Sequence, residues 1–327
     1  MSTLHILGED DVRAVIDTDR ALEIARATLA DQAAGRSILS TPAAMTLDAQ
    51  ALGGPRFKFK AATVGHLGAS GIRLLSRPNP GAEACNYCAV YTHGTLSISG
   101  LVAELWLSRI RTAAFGAVSI QPLVNPGPLV VALFGTGSIA AEIAPMLQRT
   151  LSLREVRVSS RRPESTAAFV ARHAESVGVP MRAEADPRRM VDGADVVITL
   201  TEATSPLVLP GTLKPGAVVC SMGSYNEIDY GVMREADRLV VDDADFASEM
   251  GDGGAWIEQE HLSREAFRAR VDALACEVIA GQKSGRRAAA DRIVALIQGM
   301  AIGDLAFAAY ALQEARRTGR GQRVELS

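Results

Sequence analysis

The segment Pro128-Leu-Val-Val-Ala-Leu-Phe-Gly135-Thr136-Gly137-Ser138-Ile139-Ala140 leaves this chain the fewest options. Its unbroken apolar run before the first glycine predicts a strand buried on both faces, as in a parallel sheet covered by helices. The spacing Gly-x-Gly-x-x-Ala then predicts a sharp strand-to-helix turn. Gly135 makes the turn, Gly137 lets backbone N–H groups approach a pyrophosphate, and Ala140 lets helix and strand pack closely. The helix N-terminus behind them favours the phosphate charge. A dinucleotide is the ligand this arrangement suits.

The remainder supports that reading. Beyond the breaker Asn125-Pro126-Gly127-Pro128 the chain alternates strand and helix. Strands are predicted at 155–159, near Met181, and at 195–200, 217–222 and 238–241, with helices at 164–177 and 187–191 between them. Gly251 to Gly254 reads as a loop, and helices are predicted at 265–275 and 288–315, the second broken near Gly299 and Gly303. Upstream, helices are expected at 10–16 and 18–34, with Asp17 or Thr18 as cap. Period-two segments follow at 39–47, 56–64, 71–76, 85–91 and 96–102, and then a helix of small residues at 105–120. The fold class is therefore α/β: a Rossmann-type doubly wound parallel sheet over 125–294, inserted in a mixed α+β domain made of 1–124 and 295–327.

Charge and cysteine usage narrow the function. With 34 basic and 37 acidic residues the net charge is −3 and the basic side chains are scattered, which argues against nucleic acid. No apolar run approaches the roughly 20 residues that span a bilayer, and the start of the chain lacks a signal-peptide pattern, so a cytoplasmic location is expected. Cys85 and Cys88 lie three apart in a predicted strand, on opposite faces, which suits neither a disulfide nor a shared metal. No metal site is expected.

An NAD-preferring site places a carboxylate at the end of the second strand to hold the ribose hydroxyls. Here that position reads Ser159-Ser160-Arg161-Arg162. Two guanidiniums beside hydroxyls suit a 2′-phosphate, so NADPH is the expected cofactor, with NADH possible as an alternative.

Three further segments resemble signatures of the ornithine cyclodeaminase/mu-crystallin family. Leu107-Ser-Arg-Ile-Arg111-Thr112-Ala113-Ala114 is similar to its "LTxxRTAA", Thr199-Leu-Thr201-Glu-Ala203 with Pro206 to "TATTAxxP", and Gly299-Met-Ala-Ile-Gly303-Asp304-Leu-Ala to "GxAIEDLA". The resemblance implies a homodimer whose mixed-sheet domain holds a small amino, keto or imino acid against the nicotinamide of a Rossmann domain. It also implies imine or ketimine reduction, amino acid dehydrogenation or cyclodeamination, or ligand binding with little turnover as in crystallin members. On this resemblance Arg111 grips the substrate carboxylate, and a bidentate guanidinium on a rigid helix suits that task. Thr201, Gly223 and Ser224 would line the nicotinamide side.

The departures from the family pattern are informative. The catalytic lysine of "GxKxxxxxP" falls on Gly71-Ile-Arg73-Leu-Leu-Ser-Arg-Pro78, where arginine replaces it. An arginine stays charged at any working pH and cannot exchange protons. On the strand before it, Lys58 and Lys60 share one face and Phe57, Phe59 and Ala61 the other. Lys60 is the expected proton-transfer group, with Arg73 as a second anion contact. An arginine of the family's first strand is missing at Thr41-Pro42-Ala43-Ala44. The shortened loop Gly223-Ser224-Tyr225-Asn226-Glu227-Ile-Asp229 leaves no acid in register for an amine, which lowers cyclodeamination in the ranking.

Overall fold

The computed structural model describes residues 2–54, 56–77, 86–94 and 97–326. They divide into two units, 1–112 with 300–327, and 113–299. Pro78, Cys85 and Leu96, used in the sequence reading, lie outside the described residues.

The first unit opens with β1 (Ser2–Leu7), α1 (Glu9–Arg13), α2 (Thr18–Ala33), β2 (Ser37–Leu39), β3 (Met45–Asp48), β4 (Arg56–Val64), β5 (Ala69–Arg77), β6 (Tyr87–Thr92) and β7 (Ser97–Ala103). The helix α3 (Leu105–Ile120) follows, and the division between units falls within it, upstream of the Asn125–Pro128 break. Asp17 caps α2 by accepting from the Arg20 amide at 2.8 Å.

The second unit contains β8 (Leu129–Phe134), α4 (Ser138–Thr150), β9 (Leu153–Ser159), α5 (Pro163–Val177), β10 (Met181–Ala183), α6 (Pro187–Val191), β11 (Val196–Thr199) and β12 (Val218–Ser221). It continues through α7 (Tyr230–Glu235), β13 (Arg238–Val241), α8 (Ala244–Ala247), α9 (Gly251–Glu258), α10 (Arg264–Arg270), β14 (Ala273–Leu274), α11 (Ala275–Ile279) and β15 (Ile293–Leu296). The chain then returns to the first unit with α12 (Ala301–Thr318) and β16 (Gln322–Leu326).

In the first unit the sheet order is β16-β1-β7-β6-β5-β4-β2, with β3 also on β4. β1 and β7 are parallel and the other pairs antiparallel. α12 lies on one face. A side chain at Gly71 would overlap the Ala89 carbonyl and Leu305, and one at Gly100 would overlap Leu312, so these glycines let the helix settle close. The other face carries Ile38, Met45, Leu47, Ile72, Leu74 and Tyr91 in exposed positions.

In the second unit all eight strands are parallel, in the order β10-β9-β8-β11-β12-β15-β13-β14. The direction of strand order reverses between β8 and β11, the place where such sheets open a crevice at their carboxyl ends. Val130, Ala132, Val197, Val219, Val294 and Trp256 belong to one buried cluster in this unit. The α/β class with a Rossmann-type parallel sheet and a separate mixed sheet is thus the observed one. Among the described residues no helix is long and apolar enough to cross a membrane.

Several elements differ from the sequence reading. Residues 251–254 begin the helix α9 instead of forming a loop. Gly253 is needed there because a side chain would overlap the Ala247 carbonyl and press on Phe267, so close packing overrides poor helix propensity. The expected helix 288–315 is strand β15 followed by α12, and Gly303 sits inside α12 without breaking it. Four apolar residues, Ile293 to Leu296, carry no periodicity that separates a buried strand from a helix. The expected helix 265–275 stops at Arg270 and is followed by β14 and α11. The segment 39–47 is two short strands, and β1 and β16, which pair the chain's two ends, had no sequence signal.

Candidate functional site

Each unit carries a constellation of its own. In the second, a cleft of about 970 Å³ opens at the carboxyl ends of β8, β9, β11 and β12. Gly135 to Ala140, Ser160 to Arg162, Thr201, Gly223 and Ser224 all line it. Its volume lies in the usual range for a small-molecule or cofactor site.

The turn residues show why the motif has its form. Gly135 has φ +113, and a side chain there would overlap the Leu200 carbonyl. Gly137 is the N-cap of α4, and nothing lies within 4 Å of where its side chain would be. That open space in front of a helix N-terminus suits an anion. Ala140 is fully buried between helix and strand. At the end of β9, Arg161 and Arg162 are exposed, and Ser160 Oγ donates to the Arg162 carbonyl at 3.0 Å or pairs with Thr166 Oγ1 at 2.8 Å.

Below the rim of this cleft lies Glu227, which the sequence reading weighed only as an acid for a substrate amine and set aside. Glu227 is fully buried, and its Oε1 accepts from both the Thr201 amide and the Thr201 hydroxyl at 2.6 Å. Its Oε2 lies against Gly223, where a side chain would overlap it, and the Gly223 amide and Thr199 hydroxyl help to hold the carboxyl. Asp252 supports Glu227 in turn. Its Oδ1 accepts from the Glu227 and Ile228 amides at 2.6 and 2.7 Å, and its Oδ2 accepts from Ser221 Oγ. Burial raises both carboxyls, Asp252 to about 7, against the hydrogen bonds that lower them. Asp229, the other acid of this loop, caps α7 by accepting from the Gly231 amide.

In the first unit, Lys60 on β4 stands directly opposite Arg73 on β5, which stands opposite Cys88 on β6. These positions share the face covered by α12, so the lysine face of β4 is largely enclosed: Lys60 is 6% exposed. Arg111 on α3 and Asp304 on α12 complete the group and are equally buried.

Arg73 is fully engaged. It donates from Nε to Glu104 at 2.9 Å, from Nη2 to Ser108 at 2.8 Å and from Nη1 to Asp304 at 3.3 Å. Arg111 pairs through Nε with Asp304 Oδ1 at 2.7 Å, and among the described residues it pairs with no other carboxylate. A guanidinium presenting two parallel donors is the form that grips a carboxylate bidentately. The structure thus separates two arginines that the sequence reading paired as anion contacts: Arg73 is tied to Glu104, Ser108 and Asp304, whereas Arg111 pairs with Asp304.

Burial brings the Lys60 amine down to about 7; Asp304 opposes the change, and Arg111 and Arg73 add to it. Burial likewise pushes Glu104 up to about 7, although Arg73 counters it. Asp304 stays below the ordinary carboxylate range because Arg111, Arg73 and Lys60 together outweigh its burial. Three cations against two carboxylates leave a buried positive excess that a bound anion would neutralise. Among the described residues no cluster of His, Cys, Asp and Glu could hold a metal ion.

A parallel sheet with a glycine turn at its switch point, joined in one chain to a unit with a buried Lys/Arg/Asp cluster, defines an α/β protein of the nucleotide-binding class. Residues 99–319 match the model of the ornithine cyclodeaminase/mu-crystallin family, and the chain belongs to that family. Among its relatives, Delta(1)-pyrroline-2-carboxylate reductase of Bacillus cereus is 28% identical over 230 residues, 69% of each chain. The same enzyme of Thermococcus litoralis, solved with NADH and L-proline, superimposes with a TM-score of 0.87 at 17% identity over 98% of this chain and 100% of that one. An archaeal alanine dehydrogenase dimer with bound NAD gives 0.89 at 21% identity over 99% and 100%. At such identities the structural likeness is one of fold.

Proposed function

We propose that this protein is an NAD(P)H-dependent oxidoreductase acting on the C–N bond next to the carboxylate of a small amino or imino acid. The single observation that carries this reading is the first unit's cluster. A buried arginine stands beside a lysine whose amine titrates near neutrality, in a chain whose other unit has a dinucleotide cleft.

The residues divide the work. Arg111 binds the carboxylate and fixes the neighbouring carbon. Lys60 gives a proton to the reacting nitrogen during reduction and takes it back in the oxidative direction, a task for a group with pKa near the working pH. Asp304 pairs with Arg111 and Arg73, and burial, with Arg111 and Arg73 adding their charge, keeps Lys60 easy to deprotonate. The nicotinamide, when bound, supplies the hydride. In the cleft, the amides at the start of α4 meet the diphosphate, and Arg161 with Arg162 favour a 2′-phosphate and hence NADPH over NADH.

A homodimer goes with this reading. Ile38, Met45, Leu47, Ile72 and Leu74 are exposed on one sheet face at 38 to 65%, and stacked Phe57 and Phe59 join them there. A continuous apolar sheet face of that kind is the usual mark of a protein interface.

The test is spectrophotometric. Purified protein should oxidise NADPH with at least one member of a panel of cyclic ketimine carboxylates and keto acid plus amine pairs. Nucleotide binding without turnover across the panel would favour the second reading, a ligand-binding protein, which the arginine at position 73 supports. Cyclodeamination of a diamino acid would release ammonia without net loss of NADPH. Glu227 and Asp229 are committed to Thr201 and to the α7 cap, which leaves neither acid of this loop for a substrate amine.

A further inference from the structure

We propose that Glu227 is a positioning residue for the nicotinamide half of the cofactor, acting through Thr201 and Gly223 without touching the cofactor itself. The inference rests on the dinucleotide reading above and goes beyond it to a residue that does not line the cleft.

A dinucleotide lies across the switch point of such a sheet, one mononucleotide on each side. Here the β8 and β9 side carries the glycine turn and the two arginines, so it takes the adenosine and the diphosphate. The β11 and β12 side, ending in Thr201 and Gly223, takes the nicotinamide half. Both of these residues depend on Glu227. Its Oε1 accepts the Thr201 amide and hydroxyl together, and the same hydroxyl accepts from the Ala203 amide at 3.0 Å, so one carboxyl oxygen sets the whole turn after β11. Its Oε2 abuts Gly223, which explains why that position is glycine although its φ is not positive.

The scaffold has a second tier. Asp252 fixes the backbone of Glu227 and Ile228 and reaches Ser221 at the end of β12. Two carboxyls are therefore stacked under one half of the cleft, where burial is costly unless each has a fixed task. The Thr199 hydroxyl and the Gly223 amide also favour the charged form of the Glu227 carboxyl against its burial, so this one side chain draws together the end of β11, the turn after it and Gly223.

The prediction is selectivity between the halves of the cofactor. Dissociation constants are measured by fluorescence titration for NADPH and NADH and for their nicotinamide-free counterparts, 2′-phospho-ADP-ribose and ADP-ribose. Glu227→Leu should weaken the dinucleotides by about tenfold or more, roughly one hydrogen bond that the displaced turn no longer makes to the nicotinamide half, and leave the nicotinamide-free ligands within about twofold. Glu227→Gln keeps an acceptor for Thr201 and should bind all of them like the wild type. Gly223→Ala, which pushes the carboxyl away, should repeat the selective loss and serves if the leucine variant does not fold. Equal weakening of both ligand classes, or no weakening of either, overturns the assignment of Glu227. Wild-type protein that binds none of the four nucleotides would instead overturn the dinucleotide reading, and the proposal with it.

Discussion

Lys60 offers the most demanding test, because its burial links catalysis and stability through one titration. Its amine falls from 10.5 to about 7, chiefly by loss of water around the charge. At 1.36 kcal/mol per unit, the charged lysine costs the folded state about 5 kcal/mol. The sign follows from proton uptake. Below pH 7 folded and unfolded states are both protonated and the full cost is present. Between about 7 and 10.5 the folded state is neutral while the unfolded chain still binds the proton, so stability rises with pH by about 1.4 kcal/mol per unit. Lys60→Met removes this titration. Urea unfolding of wild type and variant at pH 6 and pH 9 should show the variant's relative advantage shrinking by up to about 3 kcal/mol across that interval. The rate should follow the same group. Reduction by the wild type should decline as pH rises through about 7, oxidation should increase, and Lys60→Met should lose both arms together with about 10² to 10⁴ of the rate. Lys60→Arg keeps the charge, and it should flatten the profile without restoring activity. A stability difference independent of pH, or an unchanged rate profile in the methionine variant, would refute the assignment of Lys60.

Arg111→Met should raise KM for the carboxylate substrate by about 10²-fold, the loss of a bidentate contact worth roughly 3 kcal/mol, with nucleotide affinity unchanged in a titration. Replacing Arg161 and Arg162 together by serine should weaken NADPH by at least about tenfold and leave NADH within about threefold, read from the ratio of kcat/KM for the two cofactors. Ile72→Asp combined with Leu74→Asp places two charges on the apolar sheet face. Sedimentation should then show monomers where the wild type gives dimers, and a monomeric wild type would refute that reading.

What the sequence disclosed is local chemistry. The β8 turn was legible because glycine at a positive φ and an open N-cap are demanded by the turn itself, whatever surrounds it. Alternation along β4 correctly separated the lysines from the phenylalanines, since side-chain direction in a strand is fixed by parity. Parity does not say which face is covered. That Lys60 is enclosed depends on α12, more than 200 residues away in the chain, and so does the ion pair of Arg111 with Asp304. Glu227, weighed only as an acid for an amine, and Asp252, not considered, had their roles hidden for a similar reason. Each is one acid in a polar stretch, and only the fold brings Thr201 and Gly223 against the first and the Glu227 amide against the second. The helix α9 was misread because its glycines serve packing, which propensity does not register.

On the proposed role of Lys60, an exchange of cations between neighbouring strands would account for arginine in the slot where the family pattern has lysine. Residues directly opposite each other in an antiparallel pair have Cβ atoms about 5 Å apart, so a lysine on β4 and one on β5 can bring their ammonium groups to nearly the same place. Lys60 and Arg73 are such a pair. The arginine at position 73 then takes over what a proton-exchanging lysine does poorly, since its planar fork satisfies Glu104, Ser108 and Asp304 at once and holds its charge throughout. Burial does most to bring the Lys60 amine down to about 7, and that fixed charge adds to the effect after Arg111. Restoring the family residue alone, by Arg73→Lys, should therefore fail as a gain of function. It would leave Glu104 and Ser108 with one flexible donor in place of a fork, and the enzyme should lose both thermal stability and rate. Lys60→Ala combined with Arg73→Lys should recover part of the rate lost in Lys60→Ala, because a single lysine would again stand beside Arg111 and Asp304. Absence of any recovery in the double variant would show that the β4 position is required in itself.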